Sequence, residues 1–166
     1  MSGAFTGKGM SKILIAEDDP ISGRVYSDIL TRGSFEVELF PNGLAFMARV
    51  SEARPDALLV DMMLPGLSGI EIIKRVRATW AGKKLPIVAL TNAFIPAMLE
   101  AVQLAGATTI YDKAVVTPPL LVDTFKGLLE DYSIPRSSAL ASAAKVKYEV
   151  SEGGWATVRM FRPGDK

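Results

Sequence analysis

The 166-residue chain contains no cysteine and no histidine. Without cysteine there is no disulfide framework, no thiolate metal site and no thiol nucleophile. Without histidine there is no Ser-His-Asp triad, no imidazole base and no histidine metal ligand. Apolar runs of membrane-spanning length are missing as well, and the opening MSGAFTGKGM lacks the apolar stretch of a signal peptide. Neither sign of charge dominates. The 19 Lys and Arg meet 18 Asp and Glu, for a formal net charge of +1, so no global field draws the protein to nucleic acid or membrane. Any chemistry must rest on carboxylates, hydroxyls, Lys, Arg or the backbone. A cytoplasmic protein is the expectation.

What is present suits a globular core, with 49% hydrophobic and 22% charged residues. Short apolar runs at Ile13–Ala16, Ala57–Val60 and Ile87–Leu90 read as strands buried on both faces, with 35–40 and 108–111 as weaker candidates. Amphipathic helices fall between and after them. The first carries Ile21, Val25 and Ile29, with Tyr26 and Leu30 beside them. The second follows Pro41-Asn42-Gly43 and carries Leu44, Met47 and Val50. The third opens on Ser68-Gly69-Ile70-Glu71, a capping-box pattern, and continues through Ile72, Val76 and Trp80. The fourth runs from Pro96 to Ala105 with Gly106 as its cap, and the fifth starts at Pro118-Pro119 and carries Leu121, Phe125 and Leu128. Five β-α units predict an α/β fold with a doubly wound parallel sheet and helices on both faces.

The texture divides the chain into a flexible leader (1–10), a main domain (11–131), a small polar linker (132–145) and a hairpin-like tail (146–166). In the tail Val146, Tyr148 and Val150 alternate, and Gly153-Gly154 offers a turn. Charge follows the same division. Residues 11–131 hold 12 Lys/Arg against 15 Asp/Glu, and residues 132–166 hold 6 against 3.

The residues at the strand ends carry the chemistry. The first strand stops at Glu17-Asp18-Asp19, the third at Asp61 and the fourth at Thr91-Asn92, and Lys113 closely follows the fifth. Open parallel sheets bind ligands outside the carboxyl ends of their strands. Neighbouring strands lie roughly 4.8 Å apart, so these groups can converge. Taken singly each has a bland reading. The acidic run is a solvated loop with Asp19 as an N-cap, Thr91 a cap and Lys113 a surface lysine. Their conjunction at one edge favours a site. Three adjacent carboxyl groups repel unless a cation compensates, and Mg²⁺ takes carboxylates, keeps waters and bridges to phosphate. A hydroxyl and an ammonium beside them complete a phosphoryl-handling site in which an Asp can be the nucleophile.

The stretch from Ser11 to Asp131 resembles the receiver domain of bacterial two-component response regulators. The resemblance rests on Ile13-Leu14-Ile15-Ala16-Glu17-Asp18-Asp19-Pro20, Pro55-Asp56, Asp61-Met62-Met63-Leu64-Pro65-Gly66-Leu67-Ser68-Gly69, Leu90-Thr91, Ala105-Gly106-Ala107 and Lys113. It implies a flavodoxin-like sheet in the order 2-1-3-4-5. It implies Asp61 as phosphoacceptor, with Thr91 binding the phosphoryl group and Lys113 pairing first with Asp61 and then with the phosphate. It also implies Mg²⁺ held by Asp18, Asp61 and the backbone carbonyl of Met63, with Glu17 acting through water. The implied donor is a histidine kinase or histidine phosphotransfer protein. The implied chemistry is confined to the protein's own phosphorylation and dephosphorylation.

Two departures stand out. The family's Lys is usually followed by Pro, and here it is Ala114, before which a cis bond would cost about 3 kcal/mol, so a trans bond and a reshaped loop are expected. The family's aromatic switch residue usually lies three positions before the Lys. Ile110 holds that position and the aromatic is Tyr111, so either the strand is bulged or the Thr–aromatic coupling is altered.

The expected function is a single-domain, chemotaxis-regulator-like response regulator whose partner binding changes on phosphorylation. Ile110 and Ala114 motivate an alternative, a receiver-like interaction module that needs no phosphorylation. The basic, aromatic-bearing tail motivates another, the receiver of a DNA-binding transcription factor. Nucleic acid and membrane are not the expected partners. Homodimerisation, through the fourth and fifth helices or the tail, is left open. Met63 and Ala93, two positions past Asp61 and Thr91, are apolar and cannot orient an attacking water, which predicts a long-lived phosphoryl group.

Overall fold

A computed structural model describes residues 9–79, 81–133, 147–150 and 156–159. The leader as far as residue 8, Trp80, the segment 134–146 and the Gly153-Gly154 turn lie outside the described residues. The elements run β1 (Lys12–Ala16), α1 (Pro20–Arg32), β2 (Glu36–Phe40), α2 (Gly43–Ala53), β3 (Ala57–Asp61), α3 (Gly69–Ala78), a 3-10 turn (Ala81–Lys83), β4 (Ile87–Thr91), α4 (Pro96–Ala105), β5 (Thr109–Asp112), α5 (Pro118–Ser133), β6 (Lys147–Val150) and β7 (Ala156–Arg159). The first five strands form one parallel sheet in the order β2-β1-β3-β4-β5, as expected.

Side chains alternate across this sheet, and each face has its own core. On one face Leu14, Leu58, Val60, Ile87 and Ile110 pack with Phe46 of α2, Ile72 and Val76 of α3, and Val102 of α4. On the other Ile13, Ile15, Leu59, Val88 and Leu90 pack with Tyr26 and Leu30 of α1 and Leu121 and Phe125 of α5. Complete burial of such side chains contributes about 1.5–3 kcal/mol each, which is why the central strands read as unbroken apolar runs. Local chemistry sets the helix starts. Asp19 accepts from the Ser22 amide at 2.8 Å, Asn42 from Ala45 at 2.8 Å and Ser68 from Glu71 at 3.3 Å. Gly106 ends α4 at φ 105°, a conformation that costs other residues.

Three local expectations need correction. In α1 the buried positions are Gly23, Tyr26 and Leu30, whereas Ile21 is 75% and Val25 48% exposed, so of the stripe read from Ile21 only Ile29 packs on the core. In α2 the buried anchor is Phe46, and Leu44 is exposed. The α3 capping box is made from one side only: the Glu71 carboxylate takes the Arg75 guanidinium at 2.9 Å.

The chain divides into two compact units, 1–133 and 134–166. In the second, β6 and β7 pair antiparallel, Tyr148 opposite Val158 and Val150 opposite Ala156.

Candidate functional site

Each functional group stands where a strand runs out. β3 ends in Asp61, which is 3% exposed; its Oδ1 accepts from the Met63 amide at 3.0 Å and its Oδ2 from Lys113 Nζ at 2.7 Å. Glu17, directly after β1, is equally buried. Its Oε2 accepts from Lys113 Nζ at 2.6 Å and its Oε1 from the Asp19 amide at 3.1 Å. Asp18 is exposed, and Glu17, Asp18 and Asp61 each offer an oxygen within 4.8 Å of the others. The turn after Asp61 folds back through Gly69, whose amide bonds the Met62 carbonyl at 3.2 Å. A methyl group at Gly69 would overlap the Asp61 carbonyl, so the close approach requires glycine.

Lys113 reaches this cluster because its own amide bonds the Thr91 carbonyl at 3.0 Å, tying the end of β5 to that of β4. The next turn is shaped by Asp112. Its carboxylate takes the Ala114 amide at 2.8 Å and its carbonyl takes those of Val115 and Val116. Among the described residues no peptide bond is cis, so Lys113–Ala114 is trans, as expected. Burial alone would lower the Lys113 pKa. The hydrogen bonds to Asp61 and Glu17 outweigh it, and the group sits above the ordinary lysine value, a firm cation. Burial pushes the Glu17 carboxyl up, and the hydrogen bond from Lys113 only partly offsets this.

Thr91 is fully buried, its Oγ1 accepting from the Ala93 amide at 3.0 Å. Its neighbour Asn92, not Thr91 itself, lines the cleft above the cluster, a cavity of about 510 Å³. Met63, 63% exposed, lies on the rim. The pairing of β5 with β4 is continuous, Ala89 with Ile110 and Leu90 with Tyr111, so the bulge considered above does not form. Ile110 is buried on the α2–α4 face. Tyr111 points to the α1/α5 face, where its hydroxyl meets Thr124 Oγ1 at 2.8 Å. Thr124 spends its one proton on the Leu120 carbonyl at 2.7 Å, which makes Tyr111 the donor.

Asn92, named with Thr91 at the end of the fourth strand, lines the cleft, and so do Ser22, Tyr26 and Ala114, which the sequence reading did not place at the site. The available signal was spacing: Ser22 and Tyr26 are one helical turn apart, behind the Asp19 cap.

The donor set suits a hard divalent cation. Lys113 pairs with two of the three carboxyl groups and none of the three has another cationic partner among the described residues, leaving a formal charge of −2 when all are ionised, and every candidate ligand is oxygen.

Residues 13–125 match the response regulator receiver domain family. The polar-differentiation response regulator DivK of Brucella anthropi is 26% identical over 119 residues, 72% of this chain and 96% of its own length. Chemotaxis response regulator CheY4 of Vibrio cholerae aligns with a TM-score of 0.67 at 28% identity, covering 72% of this chain and 98% of its own. The receiver domain of sensor histidine kinase PA1611 from Pseudomonas aeruginosa, solved with a magnesium ion coordinated in its active site cleft, aligns with a TM-score of 0.68 at 26% identity, covering 73% and 98%.

Proposed function

Because this chain belongs to the response regulator receiver domain family, we propose that residues 11–131 accept a phosphoryl group on the Asp61 carboxylate and signal by changed partner binding. The observation that carries this reading is the bridge from Lys113 Nζ to both Asp61 and Glu17, at 2.7 and 2.6 Å, beneath an open acidic cleft. An Asp61 oxygen attacks phosphorus, an O–P bond forms, and the P–N bond of a phosphohistidine breaks. The electron pair leaves with the nitrogen, which is protonated. The chain holds no histidine, so the donor is another protein, a histidine kinase or phosphotransfer protein, or a small phosphodonor.

Mg²⁺ would be held by the carboxylates of Asp18 and Asp61 and the Met63 carbonyl, with Glu17 acting through water, and when bound it neutralises charge between carboxylate and phosphoryl oxygens. Lys113, released from Asp61 Oδ2, pairs with a phosphoryl oxygen. Thr91 binds the same group once its hydroxyl turns outward. No described helix is long and apolar enough to cross a membrane.

The test is intact mass after incubation with Mg²⁺ and acetyl phosphate. Wild type gains one phosphoryl mass and Asp61→Asn gains none. No gain in the wild type sinks the reading.

A further inference from the structure

Tyr26 is a residue this mechanism does not use. Its ring belongs to the core shared by α1 and α5, and the whole residue is 8% exposed. Its other end lines the cleft with Glu17, Asp61, Lys113 and Ala114. No described group shares a hydrogen bond with its hydroxyl, which opens on the cleft. A buried tyrosine normally finds a partner for that hydroxyl. Burial raises its pKa and the nearby Lys113 charge lowers it, so the phenol is neutral and stands in the field of that ammonium. An ammonium has three N–H donors, and Lys113 spends two, on Glu17 and Asp61.

We propose that Tyr26 is a positioning residue for Lys113. Its hydroxyl accepts the remaining N–H across one water and holds Lys113 in line when the phosphoryl group displaces it from Asp61. The transfer part of this role rests on the phosphoacceptor reading above.

Tyr26→Phe keeps the ring and removes the hydroxyl, and two readouts separate the roles. The first is the initial rate of phosphorylation by acetyl phosphate at fixed Mg²⁺, with the thermal midpoint as control. The rate is expected to fall about two- to tenfold, the worth of one hydrogen bond, at an unchanged midpoint. The second is exchange of the Lys113 ammonium protons with water, read from its nitrogen-15 signal in the unphosphorylated full chain. Exchange is expected to accelerate in Tyr26→Phe, which loss of packing alone would not produce. An unchanged exchange rate overturns the proposal, and so does a wild-type phosphorylation rate. Wild-type protein that takes no phosphoryl group overturns the parent reading, while the exchange experiment still decides whether Tyr26 holds Lys113.

Discussion

The two edges of the five-stranded sheet use the same kinds of polar residue to opposite ends. Where the strands begin, donors and acceptors are matched. The Lys12 amide donates to the Asp56 carboxylate at 2.8 Å, and the Ile87 amide donates to Thr108 Oγ1 at 2.9 Å. Arg77 spreads its guanidinium over the carbonyls of Gly106, Gly82 and Leu85 at 2.8, 2.5 and 2.7 Å, stitching α3 to the entrances of β4 and β5. Where the strands end, three carboxyl groups cluster around one ammonium, which pairs with only Glu17 and Asp61. At the starting edge these groups satisfy one another. The other keeps a surplus of negative charge that folding alone does not neutralise, and such a surplus is what a cation and a phosphoryl group require.

The sharpest way to break this contrast is Lys113→Met. It leaves Glu17 and Asp61 buried without a cation and should cost about 3 kcal/mol in a metal chelator, measured by urea unfolding, with much of the loss recovered by Mg²⁺. A variant as stable as wild type under chelation would show that the cluster is not under charge stress. The sign is fixed by the raised pKa of Lys113. Its contribution is complete below the ordinary lysine range and is lost only as pH rises through the higher folded value.

At the matched edge Arg77→Met should cost about 2 kcal/mol by the same measurement, because carbonyls lose charged donors. The loss should be insensitive to Mg²⁺, and phosphoryl gain by intact mass should persist. Mg²⁺ rescue of this variant would contradict the separation of the two edges.

A smaller effect concerns lifetime. Met63 on the cleft rim and Ala93 offer no group to orient water, so the phosphoryl group should decay slowly in the absence of a phosphatase. Met63→Glu should shorten its half-life several-fold, followed as loss of the added mass with time. Rapid decay in the wild type contradicts the assignment.

The smallest effect belongs to neither edge. On β2, Glu38 receives Arg49 in two hydrogen bonds and Lys12 in a third, with Arg49 foremost in holding its carboxyl down at about 2. Its contribution is therefore present above the ordinary value of 4.5 and lost as pH falls toward 2. Glu38→Gln should slightly flatten the stability curve in that window, read from thermal midpoints in acid, since the pair is partly exposed.

Much of this was legible in the order of the residues. The strands showed because burial on both faces demands unbroken apolar runs, and the helix starts showed because Asp19, Asn42 and Ser68 cap through amides three residues away. The acidic, hydroxyl and ammonium groups showed because each lies within two residues of a strand end. The α1 face was misread because Ile21, Val25 and Ile29 fit a helical stripe as well as Tyr26 and Leu30 do. The packing of α1 on β1, β2 and α5 decides between them. Tyr26 was read only as a neighbour of the α1 stripe because a tyrosine's apolar ring and polar tip give the same periodicity whichever end meets the site.

By itself, then, the sequence determined the element order, the doubly wound sheet and the residues gathered at its carboxyl edge, since all three follow from local burial, capping and strand termination. Tertiary structure alone decided that Lys113 takes Glu17 as well as Asp61 and that Tyr111 bonds Thr124 on the α5 face. It also decided that the Tyr26 hydroxyl opens on the cleft. The physical reason is direction. Which way a long side chain points is set by the helix packed across from it, and that helix lies many residues away in sequence.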